Sequence, residues 1–131
     1  MSMKKIAKKL VSKQRGILAA DESNTTISKR FKELSINLNE ENRRSWRNLL
    51  LTSQGIEEFI SGVIFYDETT HQNSDNNQSF INLLSSKNIL SGIKVDKSLH
   101  KLAGSNQENI TEGLDGLSER LIIYKDMGLS F

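Results

Sequence analysis

Three segments of this sequence share one pattern, and that pattern constrains the fold more than any other feature. They begin at Gly16, Gly62 and Gly92, run through apolar or small residues, and end in charged residues followed by a hydroxyl residue. Buried parallel strands have this composition. The segments between them are long enough for crossover helices and show helical periodicity, so the sequence predicts a βα unit repeated three times. The predicted strands lie near residues 17–21, 62–67 and 92–96.

The domain organisation predicted from the sequence is a single partial domain. Residues 1–15 form an N-terminal helical lead-in with Ile6, Leu10 and Val11 on one side, and residues 16–131 hold the three βα units. The basic start of the chain lacks the long apolar run of a signal peptide, and no segment is long enough to span a membrane. We therefore expect a soluble, cytoplasmic protein.

Helix starts and apolar faces are predicted from capping residues and spacing. Ser23 to Thr26 supply N-cap candidates, and Asn39 is expected to cap a helix that begins at Glu40. Polar loops are expected over residues 70–79 and 103–109, and Gly128 is expected to follow the end of the last helix. The predicted apolar stripes are Trp46, Leu49 and Leu50 on one helix, and Leu114, Leu117, Leu121 and Tyr124 on the last helix.

The last residues of the sequence resemble the approach to another strand. Leu129, Ser130 and Phe131 follow the end of the last predicted helix. Three parallel strands leave two unpaired edges and one uncovered face of the sheet. We therefore expect the chain to be the front part of something larger.

Composition argues against several classes of function. A net charge of +2 and an aromatic content of 6% do not favour nucleic-acid binding. The sequence has no cysteine, which excludes disulfides and thiol catalysis. His71 and His100 lack the spacing of metal ligands, and neither common glycine-rich nucleotide motif is present.

The candidate chemical residues follow the predicted strands. Lys94 and Asp96 share one face of the third strand, and Asp21 follows the first. Because a buried ammonium needs a partner, we expect Lys94 to face Asp21 and Asp96, although an ordinary structural ion-pair network fits the same pattern. Ser23 and Thr26 fit helix caps or an anion site, and Arg30 fits a solvated helix face or a ligand contact.

Longer motifs resemble one enzyme family, class I fructose-bisphosphate aldolase. The resemblance is collinear and covers nearly the whole chain. It is carried by the segments 16–23, 40–44, 49–52, 62–64, 68–69, 92–97, 102–104 and 113–120, together with Ile27, Lys29 and Arg30.

The resemblance implies a (β/α)8 barrel, of which this chain would hold the first three βα units. It also implies a cytoplasmic tetramer that cleaves fructose 1,6-bisphosphate to dihydroxyacetone phosphate and glyceraldehyde 3-phosphate reversibly, without metal or other cofactor. Asp21 would hold substrate hydroxyls and help to polarise the bond being cleaved, and Lys94 would contact a hydroxyl or phosphate. Ser23, Thr26 and Arg30 match a phosphate-binding region, although Asn24 to Thr26 replace the family's usual Thr-Gly-Ser run.

The resemblance places the Schiff-base lysine, the proton-shuttling glutamate and an assisting lysine on later strands, so residues 1–131 alone are expected to be inactive. An alternative is a non-catalytic module that binds phosphate or a partner chain through its open strand edges. A flavodoxin-like receiver with Asp96 as phosphate acceptor is disfavoured, because Lys94 does not suit an acidic pocket.

Overall fold

The computed structural model describes the backbone of residues 1–131 and every side chain except that of Lys13. Its centre is a three-stranded parallel sheet in the order β1-β2-β3, with strands Gly16–Ala20, Ile60–Phe65 and Leu90–Ile93. A parallel α/β sheet is what the repeated sequence pattern predicts. Each strand ends before the predicted position, because the last paired residues are Ala20 with Phe65 and Phe65 with Ile93. Asp21, Lys94 and Asp96 therefore lie just beyond the strands.

Seven helices accompany the sheet in the described backbone, together with a 3-10 turn at Ser12–Gln14. The helices are α1 Met3–Leu10, α2 Asn24–Glu33, α3 Glu40–Leu51, α4 Ile56–Phe59, α5 Asp67–Thr70, α6 Phe80–Ser86 and α7 Leu117–Asp126. None of them is long and apolar enough to cross a bilayer.

The core lies on one face of the sheet. Val63 and Phe65 of β2 are completely buried, and they belong to one apolar cluster with Leu51 of α3 and Phe80 and Leu84 of α6. Alternate residues of a strand point to opposite faces, so the buried set of each strand leaves the other set for the second face. Most of the apolar burial in this chain therefore comes from helices packed on a single side of the sheet.

Helix starts follow the sequence signals closely. Ser23 is the N-cap of α2 and accepts a hydrogen bond from the Thr26 amide, and Asn39 caps α3 by accepting from the Asn42 amide. The predicted apolar stripe of α3 is only partly confirmed. Leu50 packs against the core and Trp46 is half-buried, but Leu49 is 65% exposed, and the fully buried residues of α3 are Arg47 and Leu51.

The second face of the sheet is covered at β2 and β3 and open at the edge strand β1. A Cβ atom built on Gly62 would lie 2.5 Å from Leu10 Cδ2, and one built on Gly92 would lie 2.6 Å from the Phe131 ring. Glycine at both positions therefore admits Leu10 and Phe131 against the backbone. On the same face of β1, Ile17 is 45% exposed and Ala19 is exposed. The predicted uncovered face is thus present along β1.

The last two residues of the sequence form hydrogen bonds with β3. The Ser130 amide donates to the Ser91 carbonyl at 2.7 Å, and the Ile93 amide donates to the Phe131 carbonyl at 2.9 Å. These two bonds continue the hydrogen-bonded ladder of the sheet beside β3. Gly128 precedes this segment with φ +100°, in the conformation expected of a residue that follows a helix.

Two features beyond β3 differ from the predictions. An antiparallel hairpin, β4 Leu99–Lys101 and β5 Asn109–Thr111, flanks the predicted loop at residues 103–109. The apolar stripe expected on the last helix is only partly confirmed, because Leu117 is half-buried but Leu114 precedes the helix and is 82% exposed, and Leu121 is 45% exposed. Tyr124 is the residue that α7 buries.

Candidate functional site

A cavity of about 440 Å³ lies where the chain leaves β1 and β3. It is lined by Asp21, Glu22, Ser23, Thr26, Lys94, Asp96, Ser98 and Leu99. A second cavity of about 330 Å³ shares four of these residues and extends toward α7; its other lining residues are Tyr66, Asp67, Lys97, Arg120 and Tyr124. Sites in parallel α/β folds form at the carboxyl ends of the strands, and both cavities lie there.

The Lys94 ammonium forms an ion pair with the Asp96 carboxylate at the centre of the site. Both side chains are partly buried, at 24% and 34% exposed. The hydrogen bond from Lys94 lowers the pKa of Asp96 below its ordinary value, and the Ser98 amide contributes in the same direction. Asp96 is therefore ionised near neutral pH and holds the ammonium at the cavity wall.

The predicted contact between Lys94 and Asp21 is not made. Both residues line the larger cavity, but among the described side chains Lys94 pairs only with Asp96. The sheet order explains this, because β2 separates β1 from β3. Asp21 thus keeps its carboxylate free of an ion pair within the described structure, facing the cavity that the ammonium also lines.

The three predicted phosphate-binding residues are placed unequally. Ser23 and Thr26 line the larger cavity, and their hydroxyl oxygens lie 3.2 Å apart. Arg30 lines neither of the two cavities among the described residues; its guanidinium donates to the Glu22 carboxylate at 2.6 Å, with the side chain 55% exposed. The structure brings together Asp21, Ser23, Thr26 and Lys94, and leaves Arg30 at their edge.

Arg47 is the residue of this region that sequence reasoning missed. It is 3% exposed, and its guanidinium donates to the Glu22 carboxylate, to the Glu22 carbonyl oxygen at 2.9 Å and to Thr69 Oγ1 at 3.4 Å. Glu22 lies between Asp21 and Ser23 in the chain, so Arg47 fixes the backbone from which both project. Arg47 stands four residues before Leu51 on the inner face of α3, but its partner Glu22 is distant in the chain, so spacing alone could not single it out.

A second arginine holds the segment after β2. Arg43 donates through Nε and one terminal nitrogen to the two oxygens of Glu68, at 2.8 and 2.6 Å, and Asn24 donates to the same carboxylate at 3.5 Å. These donors, with Arg43 the largest contribution, lower the pKa of Glu68. A bidentate pair of this kind fixes geometry as well as charge, and it joins α2, α3 and α5 at the rim of the site.

The α7 side of the site is held by Arg120 and Tyr124. Arg120 donates to the carbonyl oxygens of Val95 and Gly113, and the Tyr124 hydroxyl donates to Asp67 at 2.8 Å. Burial, reinforced by Asp67, raises the pKa of Tyr124. These contacts fix Val95, the residue before Asp96, and join α7 to the segment that follows β2.

The chemistry available here is recognition of a hydroxyl-rich molecule. An ammonium, three carboxylates and three hydroxyls line the larger cavity and can exchange hydrogen bonds with several hydroxyl groups, and the ammonium can contact a phosphate. Among the described side chains, no group of three His, Asp or Glu residues is arranged to hold a metal ion.

The fold and the site define an α/β protein of the parallel, barrel-forming class, with its polar residues at the carboxyl ends of the strands. The family model "Glycolytic: Fructose-bisphosphate aldolase class-I" matches residues 2–131. The chain therefore belongs to the class I fructose-bisphosphate aldolase family, as the sequence resemblance predicts.

Individual relatives agree with the family match. The chain is 46% identical over 127 residues to fructose-bisphosphate aldolase 3, chloroplastic, of Arabidopsis thaliana, covering 97% of this chain and 32% of that protein. It is 48% identical over 127 residues to fructose-bisphosphate aldolase C-A of Danio rerio, covering 96% and 35% of the respective chains.

A solved structure supports the same assignment. Fructose-bisphosphate aldolase from Plasmodium falciparum, determined in complex with TRAP and a small-molecule inhibitor, superposes with a TM-score of 0.92 at 45% identity, over 97% of this chain and 37% of that one. The chain thus spans about a third of the length of these relatives and corresponds to their N-terminal part. Its fold is the first three βα units of a TIM barrel.

Proposed function

We propose that the protein containing this chain is a cytoplasmic aldolase that reversibly cleaves fructose 1,6-bisphosphate to dihydroxyacetone phosphate and glyceraldehyde 3-phosphate. The observation that carries the proposal is one cavity, lined by Asp21, Ser23, Thr26 and Lys94, at the strand ends of a chain that belongs to the aldolase family. Asp21, Ser23 and Lys94 lie within motifs that resemble the family, and Thr26 keeps a hydroxyl where the family usually has serine. The chain itself forms one partial domain of this enzyme.

Each residue has a role in this proposal that its position permits. The Asp21 carboxylate accepts hydrogen bonds from substrate hydroxyls and helps to polarise the bond being cleaved. The Lys94 ammonium, held by Asp96, donates to a hydroxyl or a phosphate oxygen. Ser23 and Thr26 donate to a substrate phosphate. Arg30 approaches that phosphate only by exchanging its contact with Glu22, which its 55% exposure allows.

The covalent step is proposed to use a lysine outside residues 1–131, as the resemblance implies. That lysine forms a Schiff base with the ketose carbonyl, and residues 1–131 alone are inactive because they supply one side of the site only. Removal of a covalent nucleophile typically costs several orders of magnitude in rate. A tetrameric assembly of the whole protein is part of the same proposal.

The test is a cleavage assay on the native protein, with triose phosphate release followed in a coupled assay and borohydride reduction used to trap the Schiff base. We expect trapping outside residues 1–131, and a loss of about 100-fold or more in kcat for Asp21→Asn. Asp126→Asn serves as the matched control, because Asp126 lies in the last turn of α7 and is exposed.

Any of three results would contradict the proposal: no cleavage of the substrate by the native protein, trapping of the Schiff base on Lys94, or turnover by residues 1–131 alone at the rate of the whole protein. If cleavage is absent but phosphate still protects Lys94 from chemical modification, the result favours the alternative, a non-catalytic module that binds phosphate.

A further inference from the structure

Charge is distributed unevenly along this chain. Residues 1–15 contain six cationic residues and no acidic one, whereas residues 16–131 contain 12 Lys and Arg against 16 Asp and Glu. The net charge of +2 therefore combines a strongly basic N-terminal segment with an acidic remainder. An asymmetry of this kind indicates an interaction surface rather than a requirement of folding.

Helix α1 presents its lysines away from the rest of the protein. At about 100° per residue, Lys4, Lys5 and Lys8 lie within an arc of about 100°. Leu10, which contacts the backbone at Gly62, lies on the opposite side of the helix. All three lysines are exposed, and within the described part of the chain none of them pairs with an acidic side chain. Lys9 is different, because it donates to Asn88 Oδ1 at 2.6 Å.

One exposed apolar side chain stands beside this lysine face. Val11, 77% exposed at the end of the helix, lies about 60° from Lys8 around the axis. Met3 lies on the Leu10 side of the helix, and Met1 lines a cavity with Lys9 and Ile81. A cluster of exposed lysines is attracted by the negative surface potential of anionic lipids. The described cavities include none lined by Lys4, Lys5 or Lys8, so the face offers charge without a shaped pocket.

We propose that the outer face of α1 docks the protein onto a membrane surface containing anionic lipids. Lys4, Lys5 and Lys8 bind lipid headgroups as flexible point charges, and Val11 lies at the headgroup boundary beside them. A bilayer fits this face better than a folded partner, because the charges are spread over a convex helix and no cavity receives a partner's side chain. The prediction that no membrane is involved rested on the lack of a spanning segment, and surface docking needs none.

The experiment is co-sedimentation of the native protein with phosphatidylcholine vesicles that contain either no anionic lipid or about 30% phosphatidylserine. We expect binding to the anionic vesicles only, and release when salt is raised from about 0.05 to about 0.3 M. Each lysine contributes about fivefold to the partition constant, so the triple variant Lys4→Gln, Lys5→Gln, Lys8→Gln should bind about 100-fold more weakly.

The matched control changes three other exposed lysines, Lys29→Gln, Lys32→Gln and Lys125→Gln, and therefore makes the same change in net charge. We expect this variant to bind as the native protein does. A second α1 variant with arginine at positions 4, 5 and 8 keeps the charge and should retain binding, and equal thermal midpoints show that all variants remain folded.

The proposal fails if the anionic vesicles are not bound at low salt, or if the control triple loses binding as strongly as the α1 triple. It also fails if RNA or an acidic polypeptide binds the α1 face while the vesicles do not. None of these readouts uses cleavage activity, so the result is independent of the proposed enzymatic function.

Discussion

Removing the Arg47 guanidinium tests whether its buried ion pair with Glu22 stabilises the protein and positions the site. Arg47→Met leaves the Glu22 carboxylate, which is 13% exposed, with Arg30 as its remaining cationic partner. Loss of one partner from a buried pair typically costs about 3–5 kcal/mol, and the surviving contact from Arg30 places the expected cost at the lower end, about 3 kcal/mol. Urea denaturation of the native protein and the variant measures this difference in the free energy of unfolding.

The matched control is Arg30→Met, which removes the other cation from the same carboxylate. Arg30 is 55% exposed, so its contact with Glu22 is screened by water and should contribute less than about 1 kcal/mol. Because Arg47 also holds the Glu22 backbone, Arg47→Met should raise KM for the sugar phosphate through displacement of Asp21 and Ser23. Equal losses of stability in the two variants would refute the argument that burial of Arg47 decides the effect.

Two further predictions concern stability. Gly92→Ala should destabilise the protein by about 1–3 kcal/mol in urea, because the new methyl group meets the Phe131 ring at 2.6 Å. Adding Phe131→Leu should recover part of that loss, and no recovery would mean that the contact is not the cause. The lowered pKa of Glu68 stabilises the folded state above the ordinary glutamate pKa of about 4.3, and this contribution is lost as pH falls below it. Stability measured between about pH 6 and 3 should therefore fall less steeply in Glu68→Gln than in the native protein, whereas Glu108→Gln, in an exposed loop, should leave the slope unchanged.

The sequence predicted the parallel sheet and the helix starts because both depend on local signals. Ser23 and Asn39 cap their helices as expected, since a capping side chain needs only an amide three residues ahead. Which side of a helix is buried depends instead on contacts from elsewhere in the chain. The inner face of α3 carries Arg47, whose partner Glu22 lies 25 residues away, and apolar spacing alone cannot identify such a residue.

The structure places the predicted strand-end residues at one cavity but does not pair Lys94 with Asp21 as predicted. Asp21 and Lys94 line one cavity because parallel strands end at the same edge of the sheet. The predicted contact between them required knowledge of the strand order, which places β2 between their strands. The hairpin of β4 and β5 was missed because its two strands are three residues each, too short for an alternating pattern to be recognised.

The covering of Gly62 and Gly92 has a consequence for synthesis on the ribosome. Leu10 reaches Gly62 from one end of the sequence, and the Phe131 ring reaches both glycines from the other. Water therefore retains access to the sheet backbone at these positions until residue 131 has emerged, long after all three strands have been translated. In a nascent chain halted shortly before Phe131, the three strands could pair, but water would still reach the sheet backbone at Gly92. During this interval the growing polypeptide exposes unpaired strand edges and apolar surface, which favours aggregation and binding by chaperones.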